Sequence, residues 1–266
     1  MSHIIYTSLS QSLSDRCYEA FLTGNIPEEG WLLTEGSHLY LLPKAPSVPS
    51  GKIFTAPSGP ADYFESTLPE EKTLAAWKSY LSGRRLPAGA ALAAGGGKVL
   101  FFAPSEYEPD LSHMDMYRLP FDPLEEILTP QEAAKLYGTD AKRISADCER
   151  MGVFTSREVR KSGNTWLILK STAGRIYHEE AEKTYTINPL LLVFSTLEAA
   201  KIWNRDSGAV RSAAAGAGHS SARMGEGERR KSGRTWLVTR DAMERLFGQA
   251  LPVLMKEAMR GLCDRS

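Results

Sequence analysis

Cysteine is scarce in this chain of 266 residues, and the three present, Cys17, Cys148 and Cys263, are odd in number, far apart and outside any C-x-x-C spacing. Neither a disulfide framework nor a zinc site is therefore suggested, and a reducing compartment is expected. Long hydrophobic runs are missing as well. No stretch approaches the ~20 apolar residues that a spanning helix needs, and the opening Met1-Ser2-His3-Ile4-Ile5-Tyr6-Thr7-Ser8 lacks the basic start and apolar core of a secretory leader. A cytoplasmic location is expected. The histidines His3, His38, His113, His178 and His219 are scattered, none at a metal-ligand spacing or beside a Ser or Cys nucleophile. No metal, no cofactor and no catalytic residue is expected, and an enzyme is the least favoured reading. One Gly-Lys pair, in Gly95-Gly96-Gly97-Lys98, invites comparison with a phosphate loop, but Leu92 and Val99 stand where that loop needs Gly and Ser or Thr. The Ala- and Gly-rich residues 88–97 read instead as a flexible turn before a strand.

Net charge is also missing, with 32 Lys+Arg against 32 Asp+Glu. The balance is not local. Residues 1–126 carry 9 basic against 16 acidic side chains, whereas 128–176 carry 9 against 5 and 195–248 carry 10 against 6. Polyanion binding depends on a local basic face rather than on the total, so neutrality does not argue against nucleic acid. It does set the acidic N-terminal part apart from that role.

What the chain has is a duplication. Thr129-Pro130-Gln131-Glu132-Ala133-Ala134-Lys135-Leu136-Tyr137 leads to Arg160-Lys161-Ser162-Gly163-Asn164-Thr165-Trp166-Leu167, and Ser195-Thr196-Leu197-Glu198-Ala199-Ala200-Lys201-Ile202-Trp203 leads to Arg230-Lys231-Ser232-Gly233-Arg234-Thr235-Trp236-Leu237. Two copies of one small module follow from this. Thr129 with Glu132, and Ser195 with Glu198, have capping-box spacing, so each copy opens on a helix with a defined start. Ala133, Leu136 and Tyr137, and their counterparts Ala199, Ile202 and Trp203, place one small and two large residues on one helix face. After the turns 138–140 and 204–207 comes a second helix. Ile144, Cys148 and Met151 face inward in the first copy, leaving Lys142, Arg143, Ser145 and Asp147 outward. Val210 and Ala214 face inward in the second, leaving Arg211 and Ser212 outward. Cys148 reads as a small core residue rather than a nucleophile. Each copy closes on a two-stranded hairpin turning at residues 161–164 or 231–234, with basic side chains at a stiff tip suited to phosphate contact.

These residues resemble the winged helix-turn-helix modules of the excisionase and MerR-type family, which share the cap-x-x-E-A-A start, a recognition helix, a basic glycine-containing wing and a short trailing helix. Residues 175–177 and 245–247 match that trailing helix. The resemblance implies double-stranded DNA as partner, with the second helix in the major groove and the wing on phosphates. Carried over by position, it implies Lys142, Arg143 and Ser145, with Arg211 and Ser212, on the recognition helices. It implies Arg157, Arg160, Lys161 and Asn164, with Arg229, Arg230, Lys231 and Arg234, on the wings. The second copy departs through extra residues 219–225 and an Ala/Gly-rich helix, so the first copy is expected to read bases and the second to hold the backbone.

The fold class expected is α+β: an N-terminal α+β domain (1–102), a Pro- and acid-rich linker (103–126), a first winged module (127–177), a connector (178–194), a second winged module (195–248) and a C-terminal helix (249–266). In the first domain, helices are expected near 13–22 and over 70–81, and strands at 31–33, 38–42 and 98–102. The function expected is a nucleoid-associated, sequence-specific transcriptional regulator reading a bipartite site. The alternatives are an antitoxin-like or adaptor protein whose residues 1–126 hold a protein partner or ligand, with Glu28, Glu29, Glu70 and Glu71 available to a basic surface, and an excisionase-like architectural factor. The apolar positions Leu251, Leu254, Met255, Ala258, Met259 and Leu262 recur at helical spacing and serve either packing on the second module or a homodimer.

Overall fold

Small residues make the N-terminal sheet possible. The computed structural model describes residues 4–6, 9–35, 38–46, 77, 80, 91–102, 115–116, 119–217, 221–248, 250–260 and 262, and the chain divides into units 1–119 and 120–266. The first unit holds β1 (Ile4–Tyr6), α1 (Gln11–Thr23), β2 (Trp31–Glu35), β3 (His38–Leu42), β4 (Ala91–Gly95), β5 (Lys98–Phe102) and β6 (Asp115–Met116). The strands form one sheet in the order β5-β4-β2-β3-β1-β6, antiparallel except where β1 runs parallel to β3. Ser10 caps α1 by accepting from the Leu13 N–H, and Gly24 ends it in the left-handed conformation. The expected turn at 88–97 is thus in part a strand: every residue of β4 is buried. Ala91, Ala93 and Ala94 carry no alternation to announce a strand, because a sheet covered on both faces buries both sets of side chains. A Cβ on Gly95 would lie 2.5 Å from the Gly30 carbonyl oxygen, so only glycine fits there. Gly96 and Gly97, both at positive φ, make the two-residue hairpin to β5. Of the helix expected over 70–81, only Trp77 and Tyr80 lie within the described residues; both are buried and helical.

The second unit contains both repeats. Copy one comprises β7 (Ile127–Leu128), α2 (Pro130–Tyr137), α3 (Ala141–Glu149), β8 (Val159–Ser162), β9 (Thr165–Leu169) and α4 (Lys170–His178). Copy two comprises β10 (Val193–Ser195), α5 (Thr196–Ile202), α6 (Ser207–Ala215), β11 (Arg229–Ser232), β12 (Thr235–Thr239) and α7 (Arg240–Phe247), followed by α8 (Pro252–Ala258). Each copy carries a three-stranded sheet, β7-β9-β8 or β10-β12-β11. Leu128, Ala133, Ile144, Cys148, Phe154, Val159, Ile168 and Ala173 form the core of the first. Among the described residues no helix is long and apolar enough to cross a membrane.

Several expectations need correction. The linker 103–126 is shared out: β6 pairs with β1, while Leu124 is buried in the second unit. The connector 178–194 likewise ends as part of copy two, since Ile187, Leu190 and Leu191 are buried and β10 pairs with β12. The repeat itself starts earlier than Thr129, because Asp122 accepts from the Leu124 N–H just as Asn188 accepts from the Leu190 N–H. Met151 is 97% exposed: α3 ends at Glu149, Arg150 is extended, and the i+7 position therefore lies off the helix. Leu136 is exposed too, leaving Tyr137 to pack on the core. Asp147 is buried and accepts the Tyr177 hydroxyl at 2.9 Å. In α8 and beyond, Met255, Met259 and Leu262 are buried within the chain, and the Leu251 N–H donates to the Ile202 carbonyl.

The two copies clasp each other through their wings. Arg160 of β8 is buried and donates to Glu198 Oε1 at 2.6 Å, to the Val193 carbonyl at 2.5 Å and to the Leu190 carbonyl at 2.8 Å. Ser162 donates to the Glu198 carboxylate and accepts from the Ser195 N–H at 2.8 Å. Ser195 does cap α5 by accepting from the Glu198 N–H, but the expected return bond from the carboxylate is replaced by the hydroxyl of the other copy's wing. In the opposite direction Arg230 of β11 donates to the Ile127 carbonyl at 2.7 Å and to Glu132 Oε2 at 3.2 Å, and Ser232 shares a 2.6 Å hydroxyl contact with Thr129. Here the capping box is complete, Glu132 also accepting from the Thr129 N–H. Gly163 and Gly233 sit at positive φ in the two hairpin turns, against Ser195 and Leu197 in one case and Gln131 in the other.

Replacing Arg160 leaves Glu198 buried without its cation, a loss of about 3–5 kcal/mol. Arg160→Ala is thus expected to lower the free energy of unfolding, measured by denaturant titration, by that amount, while the adjacent exposed Lys161→Ala stays within about 0.5 kcal/mol. Equal, small effects from both would contradict the buried role of Arg160.

Candidate nucleic-acid interface

The second helix of each copy is held by its inner face. In α3, Ile144, Asp147 and Cys148 are buried, and Asp140 fixes the start by accepting from the Lys142 and Arg143 N–H groups. Lys142 and Arg143 are left exposed, together with Ala146, Glu149 and Arg150. Arg143 keeps 71% of its side chain exposed despite an Asp147 oxygen 4.0 Å away. Ser145 is half-buried and donates to the Ala141 carbonyl at 2.9 Å, so its hydroxyl proton is already committed. In α6, Val210, Ala213 and Ala214 are buried, Arg211 is exposed and Ser212 half-buried. Position by position the second helix presents fewer cations: Gly208 and Ala209 stand where the first has Lys142 and Arg143.

The wings divide by strand alternation, since neighbouring residues on a strand point to opposite faces. Lys161 and Lys231 are exposed, their ammonium groups 5.7 and 6.0 Å from the centres of the Trp166 and Trp236 rings. Arg160 and Arg230, on the other face, do not stand free at a tip; they are the clasp. This corrects the expectation for both, more completely for Arg160, at 6% exposure, than for Arg230, at 23%. Arg229 is also engaged inside its own copy, donating to the Ala214 carbonyl at the end of α6 and lying 5.4 Å over the Trp236 ring. A cation there meets the negative end of the helix. Arg157, Asn164 and Arg234 are exposed, although the Arg157 carbonyl accepts from Asn188 of the other copy at 2.8 Å. Ser162 and Ser232 tie the wings to the opposing helix starts, a role the sequence reading missed. Its signal was present, because each copy retains both a wing Arg-x-Ser and a helix-start Glu, and basic and acidic groups retained together suit each other as partners. Exposed Arg150 was missed as well, lying past the end of α3.

The family profile described as a helix-turn-helix domain matches residues 115–182 and again 187–251, together half of the chain. The chain belongs to this helix-turn-helix family. Both matches begin upstream of the capped helices, in keeping with the earlier start of the repeat at Asp122 and Asn188. No curated protein and no solved structure is matched by the chain.

On the inner face of α3 in the first helix-turn-helix domain, the Cys148 thiol is pushed up to about 12, by burial first and then by the charges of Asp147 and Glu149. Burial likewise raises Cys17 to about 11, aided by Glu29 and opposed by Arg16. Raised thiol pKa values keep both groups neutral near pH 8, where only the thiolate attacks. Alkylation at that pH followed by peptide mapping is expected to leave Cys17 and Cys148 unmodified until denaturant is added. Modification of Cys148 in the folded protein would contradict its place in the core.

Proposed function

We propose that the second unit binds double-stranded DNA in a sequence-dependent way and that the protein is a transcriptional regulator acting on the nucleoid. The observation that carries this reading is the pair of helix-turn-helix domains in which buried residues fix the second helix while Lys142 and Arg143, or Arg211, remain exposed. A helix so presented suits the major groove, where arginine and lysine pair with the acceptor edge of guanine. Lys161 and Lys231, with Arg157, Asn164 and Arg234, are the remaining wing groups available to phosphates. Arg160, Arg230 and Arg229 are committed within the protein. The acidic N-terminal unit is read as the part that senses a ligand or holds a protein partner, since its charge opposes the DNA backbone.

The roles separate experimentally. Lys161→Ala and Lys231→Ala are each expected to weaken binding to all sequences and to reduce the slope of log affinity against log salt by about 1. Lys142→Ala and Arg143→Ala are expected to relax sequence preference, at about 1–3 kcal/mol for each lost base contact. Unchanged salt slopes in the lysine variants would remove the wing assignment, and a uniform loss in the helix variants would make the chain a non-specific binder.

A further inference from the structure

The contacts between the two helix-turn-helix domains are reciprocal, and that fixes their relative orientation. In one direction β8 meets the start of copy two: Arg160 with Glu198 and the Val193 carbonyl, Ser162 with Ser195, Gly163 against Leu197. In the other, β11 meets the start of copy one: Arg230 with Glu132 and the Ile127 carbonyl, Ser232 with Thr129, Gly233 against Gln131. Glu132, Ile127, Thr129 and Gln131 hold the same places in copy one that Glu198, Val193, Ser195 and Leu197 hold in copy two. A head-to-tail arrangement uses one copy's wing and leaves the other's free. Use of both wings on equivalent surfaces is an isologous contact, which two bodies make only when related by a two-fold rotation.

Tandem repetition along a chain suggests two half-sites repeated in the same direction on DNA. The clasp implies otherwise. On the proposed reading that the second unit binds DNA, we infer that its target is an inverted repeat with unequal halves. A duplex has its own two-fold axes perpendicular to its length, so a protein with a pseudo-two-fold presents equivalent elements to half-sites that run in opposite directions. The halves differ because the two helices differ: Lys142 and Arg143 face one half, while the other meets Gly208, Ala209 and Arg211. A homodimer must read two identical halves; one chain carrying both domains is free of that restriction. The clasp also fixes the distance between the two helices, so the spacing of the halves is fixed with it.

The test is selection of the full chain on a randomised duplex pool, followed by affinity measurements on three duplexes. One carries the enriched motif, one carries it with the weaker half reversed, and one has the halves moved apart by roughly 5 base pairs, half a helical turn. An imperfect inverted repeat is expected to emerge, with affinity falling at least tenfold on reversal and again on respacing. Arg143→Ala is expected to relax base preference in the stronger half alone. An enriched direct repeat, or equal affinity for both orientations, would overturn the inverted arrangement while leaving DNA binding intact. Absence of any enriched motif would overturn the sequence-dependent part of the DNA-binding reading and this inference together, and absence of any salt-sensitive binding would overturn DNA binding itself.

Discussion

The Arg160–Glu198 ion pair is the contact on which the arrangement of the C-terminal half depends. Both side chains are almost fully buried, and a buried ion pair repays its desolvation only when the remaining donors and acceptors are also met. Here they are. The guanidinium donates from all three of its nitrogens, and the Glu198 carboxylate accepts from Ser162 as well. The Phe194 ring, 5.1 Å from the guanidinium carbon, covers the pair. Such a site has few alternative geometries, so it specifies how the two domains sit rather than merely joining them. The opposite half of the clasp is looser: Arg230 Nε is buried without a hydrogen-bond partner among the described residues, whereas Arg160 Nε has the Leu190 carbonyl. One tight and one looser half make the symmetry approximate.

A division of labour between neighbouring residues follows. Within Arg-Lys-Ser the arginine and serine face the other domain and the lysine faces water, so a single three-residue stretch serves both assembly and the proposed contact with phosphate. The same economy appears at the helix starts, where Glu132 caps its own helix and also receives Arg230, while Glu198 surrenders the return bond of its cap to receive Arg160. The Ser195 N–H that it leaves is taken up by Ser162. Capping, which is ordinarily a local matter, here becomes part of the interface.

Much of this could be read from the sequence, and the failures have distinct physical causes. The duplication, the helix starts at Thr129 and Ser195, the hairpins and the trailing helices depend on residues close together in the chain, where spacing and residue type suffice. Cys148 was legible as core because its helical period places it beside Ile144. Met151 was not, since a period extrapolates past a helix end that no glycine or proline marks. Asp147 took its burial from Tyr177, thirty residues away. The wing arginines were the most consequential error. A basic tip repeated in two copies is equally suited to a phosphate and to a carboxylate, and only the folded chain brings Glu198 to Arg160 and Glu132 to Arg230. The alanines of β4 were missed for the opposite reason, since a strand buried on both faces has no alternation to display.

The most direct test of the clasp is a double-mutant cycle on Arg160 and Glu198, comparing the unfolding free energies of Arg160→Ala, Glu198→Ala and the double variant. Residues in a shared buried network are coupled, and the account predicts a double variant far less destabilised than the sum of the singles, with an interaction energy of about 1–3 kcal/mol. Additive effects would mean that Arg160 and Glu198 are not coupled, and the claim that this ion pair sets the arrangement of the two domains would fall.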